Sequence, residues 1–420
     1  MHGTTRIGLL RADRNGNPQF EYDPEWRADP GAIPLSLSLP LASETHASDT
    51  VAAVLWGLLT DSEHALQRLA AKFHVSARNP LALLSHIGED CAGAISFVVP
   101  NRVNAWAAGE SDGVEWLDAS EVETRLRRVR LDSGATRNDD DLGQFSLAGA
   151  QPKIALLLSG GRWGVPSGRV PTTHILKPPT GAFDAYAENE HFCSRLARAS
   201  QLPAAESAVL RFGEEIAICV ERYDRDQGGT EIVRVHQEDF CQALGILPQR
   251  KYQNQGGPSP KEMADLIQTH SSRARDDLET LFRALAFNWM IAGTDAHAKN
   301  YSLLLGQRGE VRLAPLYDLS SFLPYGTDNR KIKLAMKVGS HYRYGDITAR
   351  DWMTLARELR LDLTWALATL NEMIVVLPDL AATCATEMHA DGLSHPLIWK
   401  LVDEIAQSAL RCGRQLATSA

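Results

Sequence analysis

The sequence has no long uninterrupted apolar run. Its N-terminus offers only a short apolar stretch that Asp13 ends, which is not the pattern of a signal peptide. The most apolar region, residues 361–380, is interrupted by Asp362, Glu372 and Pro378, so no segment approaches the roughly 18 clean apolar residues of a membrane span. These absences predict a cytoplasmic chain without membrane contact.

Cysteine is scarce as well. The chain has six cysteines, none of them in a C-x-x-C pair, and no Cys/His group has the spacing of a zinc site. Most have apolar neighbours, as Cys219 has in Ile218 and Val220. This distribution predicts buried, reduced thiols in a reducing compartment rather than a disulfide framework.

The chain also lacks an excess of positive charge. It carries 43 Lys and Arg against 52 Asp and Glu, a formal net charge of -9. That balance excludes a protein that coats nucleic acid by charge alone, although a local basic patch stays compatible with it. With 44% apolar residues in 420, the chain is long enough for a sizeable core and two or three structural units.

Strand and helix patterns alternate in the first hundred residues. Asn15-Gly16 follows the apolar run at residues 7–10 and predicts a β-hairpin. The other predicted elements here are strands at residues 35–39 and 93–99 and helices that begin near Thr50, Glu63 and Pro80.

After a polar stretch, in which residues 137–141 predict a linker, the pattern becomes strand-rich and then helical. We predict strands over 153–158 and 173–177, a helix over 185–199, a hairpin over 209–220, a long helix through 278–289 that ends at Gly293, and a hairpin over 301–314. The domain prediction is therefore an α/β subdomain at 1–120, a strand-rich lobe at 121–223 and a helical lobe at 224–420.

The most informative segment for chemistry is the loop after the long helix. It places Asp295 and Asn300 five residues apart, and Asp318 follows the next hairpin. Phosphoryl transfer to a hydroxyl needs a carboxylate that accepts the proton and oxygen ligands that hold Mg²⁺ on the phosphates. Protein kinases use this D-x-x-x-x-N spacing followed by a metal-binding Asp. Asp295 would be the base, and Asn300 and Asp318 the metal ligands.

Further polar residues in this loop fit the same chemistry. His297 and Lys299 could offset charge on the transferring phosphoryl group. Because Asp and Asn favour loops in any case, a helix-ending loop with polar caps is the competing interpretation of the spacing alone.

Three other segments are candidate nucleotide contacts. The loop Ala148–Lys153 precedes a strand and could cover phosphates with its backbone N–H groups, although its one glycine also suits an ordinary turn. Lys177 ends a strand, where a lysine could reach phosphates and pair with Glu188 or Glu190 of the next helix. Residues 220–225 join the strand-rich and helical parts and could contact adenine, or could be a charged strand end.

Taken together, these segments resemble the HipA-type serine/threonine kinase toxins. The motifs that carry the resemblance are Ser146–Lys153, Thr172–Lys177, Val220–Arg225, Gln237–Gly245, Thr294–Asn300 and Tyr317-Asp318, preceded by Leu35–Leu41 and Leu83–Ala94. They occur in the family's order and cover most of the chain. Two departures are mild, since Pro152 stands where an acidic residue is expected and Tyr223 where Phe is expected.

The resemblance implies an α+β, protein-kinase-like two-lobe fold with an additional N-terminal α/β subdomain and a helical C-terminal lobe. It implies ATP and Mg²⁺ as cofactors and Asp295 as the catalytic base. Contacts to ATP are implied for Ala148, Gly149, Ala150, Gln151, Pro152, Lys153, Lys177, Glu221, Arg222, Tyr223, His297, Lys299, Asn300, Tyr317 and Asp318. Ser146 stands where the family's autophosphorylated serine lies, and a phosphate there is predicted to expel the loop and stop ATP binding.

The implied partners are a small helix-turn-helix antitoxin similar to HipB and a protein substrate, with aminoacyl-tRNA synthetases among the family's targets. DNA contacts would come mainly through the antitoxin. Two other classes of function stay open at this point. One is a catalytically silent kinase fold that binds an antitoxin or DNA, which would usually lack one of Lys177, Asp295, Asn300 and Asp318; the other is a small-molecule or lipid kinase on a related fold.

Overall fold

A computed structural model describes residues 1–132, 146, 148–181, 183–229, 231–326 and 331–417. The predicted linker at residues 137–141 lies outside the described residues. The chain divides into two compact units. The first comprises Met1–Thr180, Leu210–Gln249 and Leu303–Glu310, and the second Gly181–Val209, Arg250–Ser302 and Val311–Ala420. The predicted boundaries at 120 and 223 both fall inside the first unit, and the three-part division stays a prediction.

The helices are α1 (Pro24–Ala28), α2 (Ser48–Gly57), α3 (Glu63–Phe73), α4 (Pro80–Ile87), α5 (Val103–Ala108), α6 (Ala119–Leu131), α7 (Tyr186–Ala199), α8 (Phe240–Ala243), α9 (Pro260–His270), α10 (Ala274–Met290), α11 (Ala349–Glu358), α12 (Leu363–Ala390) and α13 (Pro396–Ala417).

The strands are β1 (Gly8–Ala12), β2 (Pro18–Tyr22), β3 (Gly113–Leu117), β4 (Ile154–Ser159), β5 (Arg162–Ser167), β6 (His174–Lys177), β7 (Ser207–Phe212), β8 (Glu215–Glu221), β9 (Arg225–Asp226), β10 (Val233–Arg234), β11 (His236–Asp239), β12 (Ser302–Leu305), β13 (Val311–Leu313), β14 (Lys333–Val338) and β15 (His341–Arg343).

The N-terminal part of the first unit has its own apolar core. The predicted hairpin is present, with β1 antiparallel to β2. The predicted helices are present as α2, α3 and α4, and they supply buried Leu55, Ala70 and Leu83, respectively, to this core. Local signals fix their starts: α4 begins at Pro80, and the side chain of Asn79 accepts a hydrogen bond from the backbone N–H of Ala82 at 3.0 Å.

Two predicted strands in this part are wrong. At residues 35–39 the chain makes a turn, closed by the Leu39 N–H on the Ser36 carbonyl at 2.9 Å. Residues 93–99 form no strand and make one isolated bridge, from Ile95 to His2. In both segments the backbone or side-chain polar groups bond to distant side chains, for example the Leu37 N–H to the Glu238 carboxylate at 2.8 Å. Such long-range partners leave no trace in the local pattern.

A six-stranded sheet in the order β3-β5-β4-β6-β8-β7 organises the rest of the first unit. The pairings β3–β5, β4–β5, β4–β6 and β6–β8 are antiparallel. Helix α6 contributes Val122, Leu126 and Val129 to the core beside this sheet. The polar character of residues 101–145 led us to miss β3 and α6, although Asp118 and Glu121 form a capping box that marks the start of α6.

The second unit is mainly helical, as predicted. Helix α10 runs through the predicted segment, and α12 packs against α13, α7 and α11. The unit also contains the antiparallel hairpin β14–β15, which the sequence analysis missed. Helix α12 is the one described helix that is long and apolar enough to cross a membrane by length and composition alone. It buries a one-sided stripe that includes Leu370, Met373 and Leu377, as a surface helix of a globular unit does.

Candidate active site

The loop with Asp295 begins at an unusual helix end. Ala292 adopts a left-handed conformation with φ of 51°, and the Gly293 N–H donates to the Asn288 carbonyl at 2.7 Å. Gly293 was predicted to end the helix, but the positive φ lies one residue earlier. Gly293 is needed for space instead, because a Cβ there would lie 2.2 Å from the Asn288 side-chain oxygen.

Asp295 and Asn300 are held on one turn of this loop. The side-chain N–H of Asn300 donates to the Asp295 carbonyl at 2.8 Å. The Asp295 side chain is 62% exposed, and its Oδ1 accepts a hydrogen bond from the Tyr252 hydroxyl at 2.5 Å. The turn therefore presents a solvent-accessible carboxylate and fixes the amide of Asn300, whose side-chain oxygen is left to act as an acceptor.

His297 and Lys299 belong to the same turn but are buried, with 4% and 6% of their surface exposed. Burial lowers the pKa of His297 to about 4, against the opposing effect of Asp295. The imidazole is therefore neutral at neutral pH and can supply a hydrogen bond but no positive charge. Its Nε2 lies 4.0 Å from Asp295 Oδ1, and no described residue bonds to its Nδ1.

Tyr317 ties the downstream segment to the same loop. Its hydroxyl donates to the Lys299 carbonyl at 2.6 Å and lies 2.7 Å from the Ser302 hydroxyl. The next residue, Asp318, is half-buried and has a φ of 52°, a conformation that Asp tolerates better than most residues. Lys299, Ser302 and Tyr317 are thus brought together within the second unit.

The loop Ala148–Lys153, in the first unit, is tied at both ends. The Lys153 ammonium donates to the Ala148 carbonyl at 2.8 Å. The Gly149 carbonyl accepts from the Thr60 hydroxyl at 3.0 Å and the Asp61 N–H at 3.1 Å. Between these ties, Ala150 is exposed and Gln151 and Pro152 are half-buried, so the middle of the loop is the part that a ligand can reach.

Ser146 is buried, with 3% of its surface exposed. Its hydroxyl donates to the Leu58 carbonyl at 2.7 Å, and its N–H donates to the Asp90 carbonyl at 3.0 Å. In this conformation both hydrogen-bond donors of Ser146 are already satisfied by the protein, and its hydroxyl does not face solvent.

Lys177 ends β6 opposite Ile218 of β8 and is 4% exposed. The strand thus delivers the lysine to a nearly closed environment, as the sequence analysis expected of a strand-end lysine. Glu188 and Glu190 lie in α7, where both are buried. Their predicted pairing with Lys177 stays a prediction.

The segment Glu221–Tyr223 is held by its own side chains. Glu221 accepts from the Gln227 side-chain N–H at 2.9 Å, and the Tyr223 hydroxyl donates to Gln237. Arg222 is buried, and its guanidinium bonds to Asp224 and, at 2.8 Å each, to the Thr172 hydroxyl and the Cys91 carbonyl. A ligand contact by Arg222 stays a prediction, and its guanidinium is committed to the protein.

A buried charge cluster extends from this segment. Its members are Asp90, Arg222, Asp224, Arg225 and Arg234, with Asp90 oxygens 2.8 Å from Arg225 and 2.7 Å from Arg234. Burial raises the pKa of Asp224, but Arg222 and Arg225 outweigh burial and hold it at about 2. Burial and Arg222 lower the pKa of Arg225 to about 10, which still leaves it charged at neutral pH. The cluster is therefore ionised, and three guanidinium groups surround two carboxylates.

Comparison with known proteins identifies the family. Residues 145–381 match the model of the HipA-like C-terminal domain, and residues 1–98 match that of the HipA N-terminal domain. The chain belongs to the HipA family. Both matches contain the motifs on which the sequence resemblance rested, so that prediction is confirmed.

Curated and solved HipA-family relatives cover nearly the whole chain. Y4mE of Sinorhizobium fredii, which carries a kinase name, is 36% identical over 84% of this chain and 83% of its own length. The serine/threonine-protein kinase toxin HipA of Shewanella oneidensis is 28% identical over 90% of each chain. A structure of that organism's HipA with HipB and operator DNA superposes with a TM-score of 0.81 and 25% identity, covering 99% of this chain and 97% of that one.

These matches confirm two broader predictions. The α+β HipA-type kinase fold with an additional N-terminal domain is confirmed, and this HipA-family chain is a kinase. The individual site residues are a separate matter, and their roles stay predictions that rest on the geometry above.

Sequence reasoning missed two contacts of this HipA-family chain, one in each unit. Tyr252 bonds to Asp295 across 43 positions of sequence, and Asp90 bonds to Arg225 across 135. Lys251-Tyr252-Gln253 precedes Gly256-Gly257, and this pair of glycines was a signal for a tight turn there. No local signal pointed to the partners of Asp90.

Proposed function

We propose that this protein is an ATP- and Mg²⁺-dependent serine/threonine protein kinase that acts as a toxin and phosphorylates a cellular protein and its own Ser146. The observation that carries the proposal is the turn that presents the exposed Asp295 carboxylate and fixes Asn300 by the hydrogen bond between them. An exposed carboxylate beside an oriented amide oxygen is what transfer to a hydroxyl requires.

Asp295 is the proposed catalytic base. It accepts the proton of the acceptor hydroxyl while the acceptor oxygen bonds to the γ-phosphorus and the bond to the bridging oxygen of ADP breaks. Its carboxylate is solvent-accessible, so an acceptor side chain can reach it. The neighbouring His297 is buried, and burial lowers the pKa of its imidazole to about 4. No histidine cation therefore stands beside the Asp295 carboxylate.

Asn300 and Asp318 are the proposed magnesium ligands. Mg²⁺ prefers oxygen ligands, usually one or two carboxylates or amides together with phosphates and water. The donor set fits, because the Asn300 side-chain N–H is used by Asp295 and leaves the amide oxygen for the ion, while Asp318 supplies a half-buried carboxylate. When bound, the ion would neutralise charge on the phosphates. Among the residues that the structure describes, no group of three or more His, Cys, Asp or Glu forms a separate metal site.

We also propose which residues bind the nucleotide. Lys177 would contact phosphates, and the middle of Ala148–Lys153 would cover them with backbone N–H groups. His297, Lys299 and Tyr317 would support the phosphate side. Glu221, Arg222 and Tyr223 would form the adenine side. The Arg222 guanidinium is bonded to Thr172 and Cys91, and its backbone N–H donates to the Thr173 carbonyl at 2.9 Å.

Self-phosphorylation of Ser146 is proposed to switch the enzyme off. The Ser146 hydroxyl is buried against the Leu58 carbonyl, so the loop must leave this position before the hydroxyl can accept a phosphoryl group. A phosphate adds close to two negative charges, which a buried site facing a carbonyl oxygen does not stabilise. The phosphorylated loop would therefore stay out, and ATP binding would be lost.

The proposed partners follow from the family. The Shewanella oneidensis HipA structure contains HipB and operator DNA, and we propose a small helix-turn-helix antitoxin for this protein, with DNA bound mainly through that antitoxin. A net charge of -9 agrees with this division. The proposed target is a protein of the aminoacyl-tRNA synthetase class. We propose that the two proteins interact in the cytoplasm, without membrane contact.

Mass spectrometry of purified protein incubated with ATP and Mg²⁺ tests the proposal. We expect one added phosphate, on the peptide that contains Ser146, in the wild type and none in Asp295→Asn. Ser159→Ala, at an exposed strand end, is the matched serine control and should behave as the wild type. A wild-type protein that binds ATP but acquires no phosphate, alone or with synthetase as acceptor, would contradict the kinase assignment of these residues.

A further inference from the structure

Tyr252 is the one described side chain that forms a hydrogen bond with the Asp295 carboxylate. Its hydroxyl donates to Oδ1 at 2.5 Å, and no described residue bonds to Oδ2. The Tyr252 ring also stands edge-on to His297, with ring centroids 5.0 Å apart. The carboxylate thus has one oxygen held by the protein and one oxygen left open.

The segment that carries Tyr252 is fixed on both sides of that residue. The Lys251 carbonyl accepts from the Ala298 N–H of the catalytic turn at 3.4 Å. The Gln253 side-chain oxygen accepts from the Lys337 N–H of β14 at 2.7 Å. Two anchors that flank the tyrosine limit its movement, so the phenol reaches Asp295 from a defined direction.

The same segment closes on itself. The Gly257 N–H donates to the Tyr252 carbonyl at 3.0 Å, and a Cβ at Gly257 would lie 2.0 Å from the Arg250 carbonyl oxygen. Only glycine fits so close a backbone approach. The tyrosine therefore belongs to a compact turn built into the second unit and not to a long flexible loop.

We propose that Tyr252 is a positioning residue for phosphoryl transfer, holding Oδ1 of Asp295 so that Oδ2 faces the acceptor hydroxyl. The inference rests on the proposed role of Asp295 as base. A carboxylate on an exposed turn rotates about its side-chain bonds, and a bond to one oxygen restricts that rotation. Catalytic bases are commonly oriented by a third group in this way.

The chemistry of a phenol suits this role. Tyr252 donates one hydrogen bond to Oδ1 and brings no charge of its own, so it can orient the carboxylate without forming an ion pair with it. The edge-on contact with the buried His297 keeps the ring in place. Loss of a hydrogen bond to a charged group of this kind corresponds to about a 10- to 100-fold effect.

Initial rates of self-phosphorylation over a range of ATP concentrations, measured by intact mass, separate the possible roles. Tyr252→Phe keeps the ring and removes only the hydroxyl. We expect its maximal rate to fall about 10- to 100-fold while the half-saturating ATP concentration stays unchanged. Tyr342→Phe removes a phenol from β15 of the same unit, where the ring stacks under Lys337, and should match the wild type.

NMR of ring-labelled tyrosine tests the contact without activity. The chain has nine tyrosines, and the Tyr252→Phe spectrum identifies the signal of Tyr252. We expect Asp295→Asn to shift that signal. Absence of a shift, or a Tyr252→Phe rate equal to or above that of the wild type, overturns the positioning role. A wild type that transfers no phosphate but shows the shift overturns the proposed function and leaves the contact established.

Discussion

Two regions of the molecule place aspartates beside basic residues to opposite effect. In the first unit, Asp224 is 2% exposed and lies between Arg222 and Arg225. In the second unit, Asp295 is 62% exposed, is bonded by one phenol, and has the neutral His297 ring 4.0 Å from its Oδ1. The same residue type is fully committed in one region and held at a single oxygen in the other.

This contrast indicates that the first region serves stability and the second serves chemistry. A buried carboxylate that is compensated by two guanidinium groups cannot take up a proton near neutral pH, and the pKa of Asp224 at about 2 expresses this. Removal of one partner leaves an uncompensated buried charge. An exposed carboxylate costs little in stability and is available to a substrate. We therefore expect mutations in the two regions to separate stability from activity.

Arg222→Ala should have the largest effect on stability. It leaves Asp224 with one guanidinium fewer and breaks the bonds to Thr172 and Cys91, so we expect a loss of about 3–5 kcal/mol in the first unit. Calorimetry and hydrogen exchange of the β6 and β8 amides measure this loss. Asp295→Asn should leave both measurements unchanged while it abolishes transfer.

Control variants test whether the two regions separate stability from activity. Arg211→Ala removes an exposed arginine from β7 and should change stability by no more than about 0.5 kcal/mol. If Arg222→Ala unfolds no more readily than Arg211→Ala, the cluster does not stabilise the first unit. If Asp295→Asn is as unstable as Arg222→Ala, its loss of activity says nothing about a base.

Local pattern predicted most elements and failed where partners are distant. The apolar spacing that predicted α2 and α10 reflects packing on one face, which is a local property of a helix. The alternation at residues 35–39 instead reflects Ser36 and Leu37 bonding to Glu238, about two hundred positions away. A pattern of period two cannot distinguish such a turn from a strand.

The candidate site divides in the same way. The proximity of Asp295 and Asn300 could be predicted from the sequence, because the two residues lie five positions apart on one turn. Tyr252 could not, because its contact depends on a fold that joins two segments 43 positions apart. The charge cluster was equally out of reach, since Asp90 and Arg225 carry no motif that specifies their pairing.

Glu238 provides a second case within the first unit, because it is buried like Asp224 but forms no ion pair with a described arginine. Burial raises the pKa of Glu238 to about 8, against the hydrogen bonds of Ser36 and Leu37. The folded protein therefore holds a proton there that the unfolded chain releases above its ordinary pKa of 4.5. Stability from this group is present below that value, falls as the pH rises toward about 8, and then levels off.

Glu238→Gln should remove this slope. Relative to the wild type, the variant should gain roughly 4 kcal/mol of stability between about pH 5 and pH 8.5, because each pH unit over which only the folded state keeps the proton costs about 1.4 kcal/mol. Melting temperatures across that range provide the measurement. Glu214→Gln, on an exposed turn, is the control and should run parallel to the wild type. A constant difference between Glu238→Gln and the wild type at every pH would show that Glu238 is ionised in the folded state.

Tyr317→Phe sets the lower end of the scale, in the second unit. It removes the hydroxyl that donates to the Lys299 carbonyl and contacts Ser302, and a single such bond contributes about 1 kcal/mol net. We expect a stability loss of that size, with faster hydrogen exchange confined to the loop at residues 299–302. Ser302→Ala keeps the bond to Lys299 and should cost less. Because Tyr317→Phe leaves no buried charge unpaired, its stability loss should be several-fold smaller than that of Arg222→Ala. An equal loss would mean that neutral hydrogen bonds stabilise the catalytic loop as strongly as buried charges stabilise the first unit.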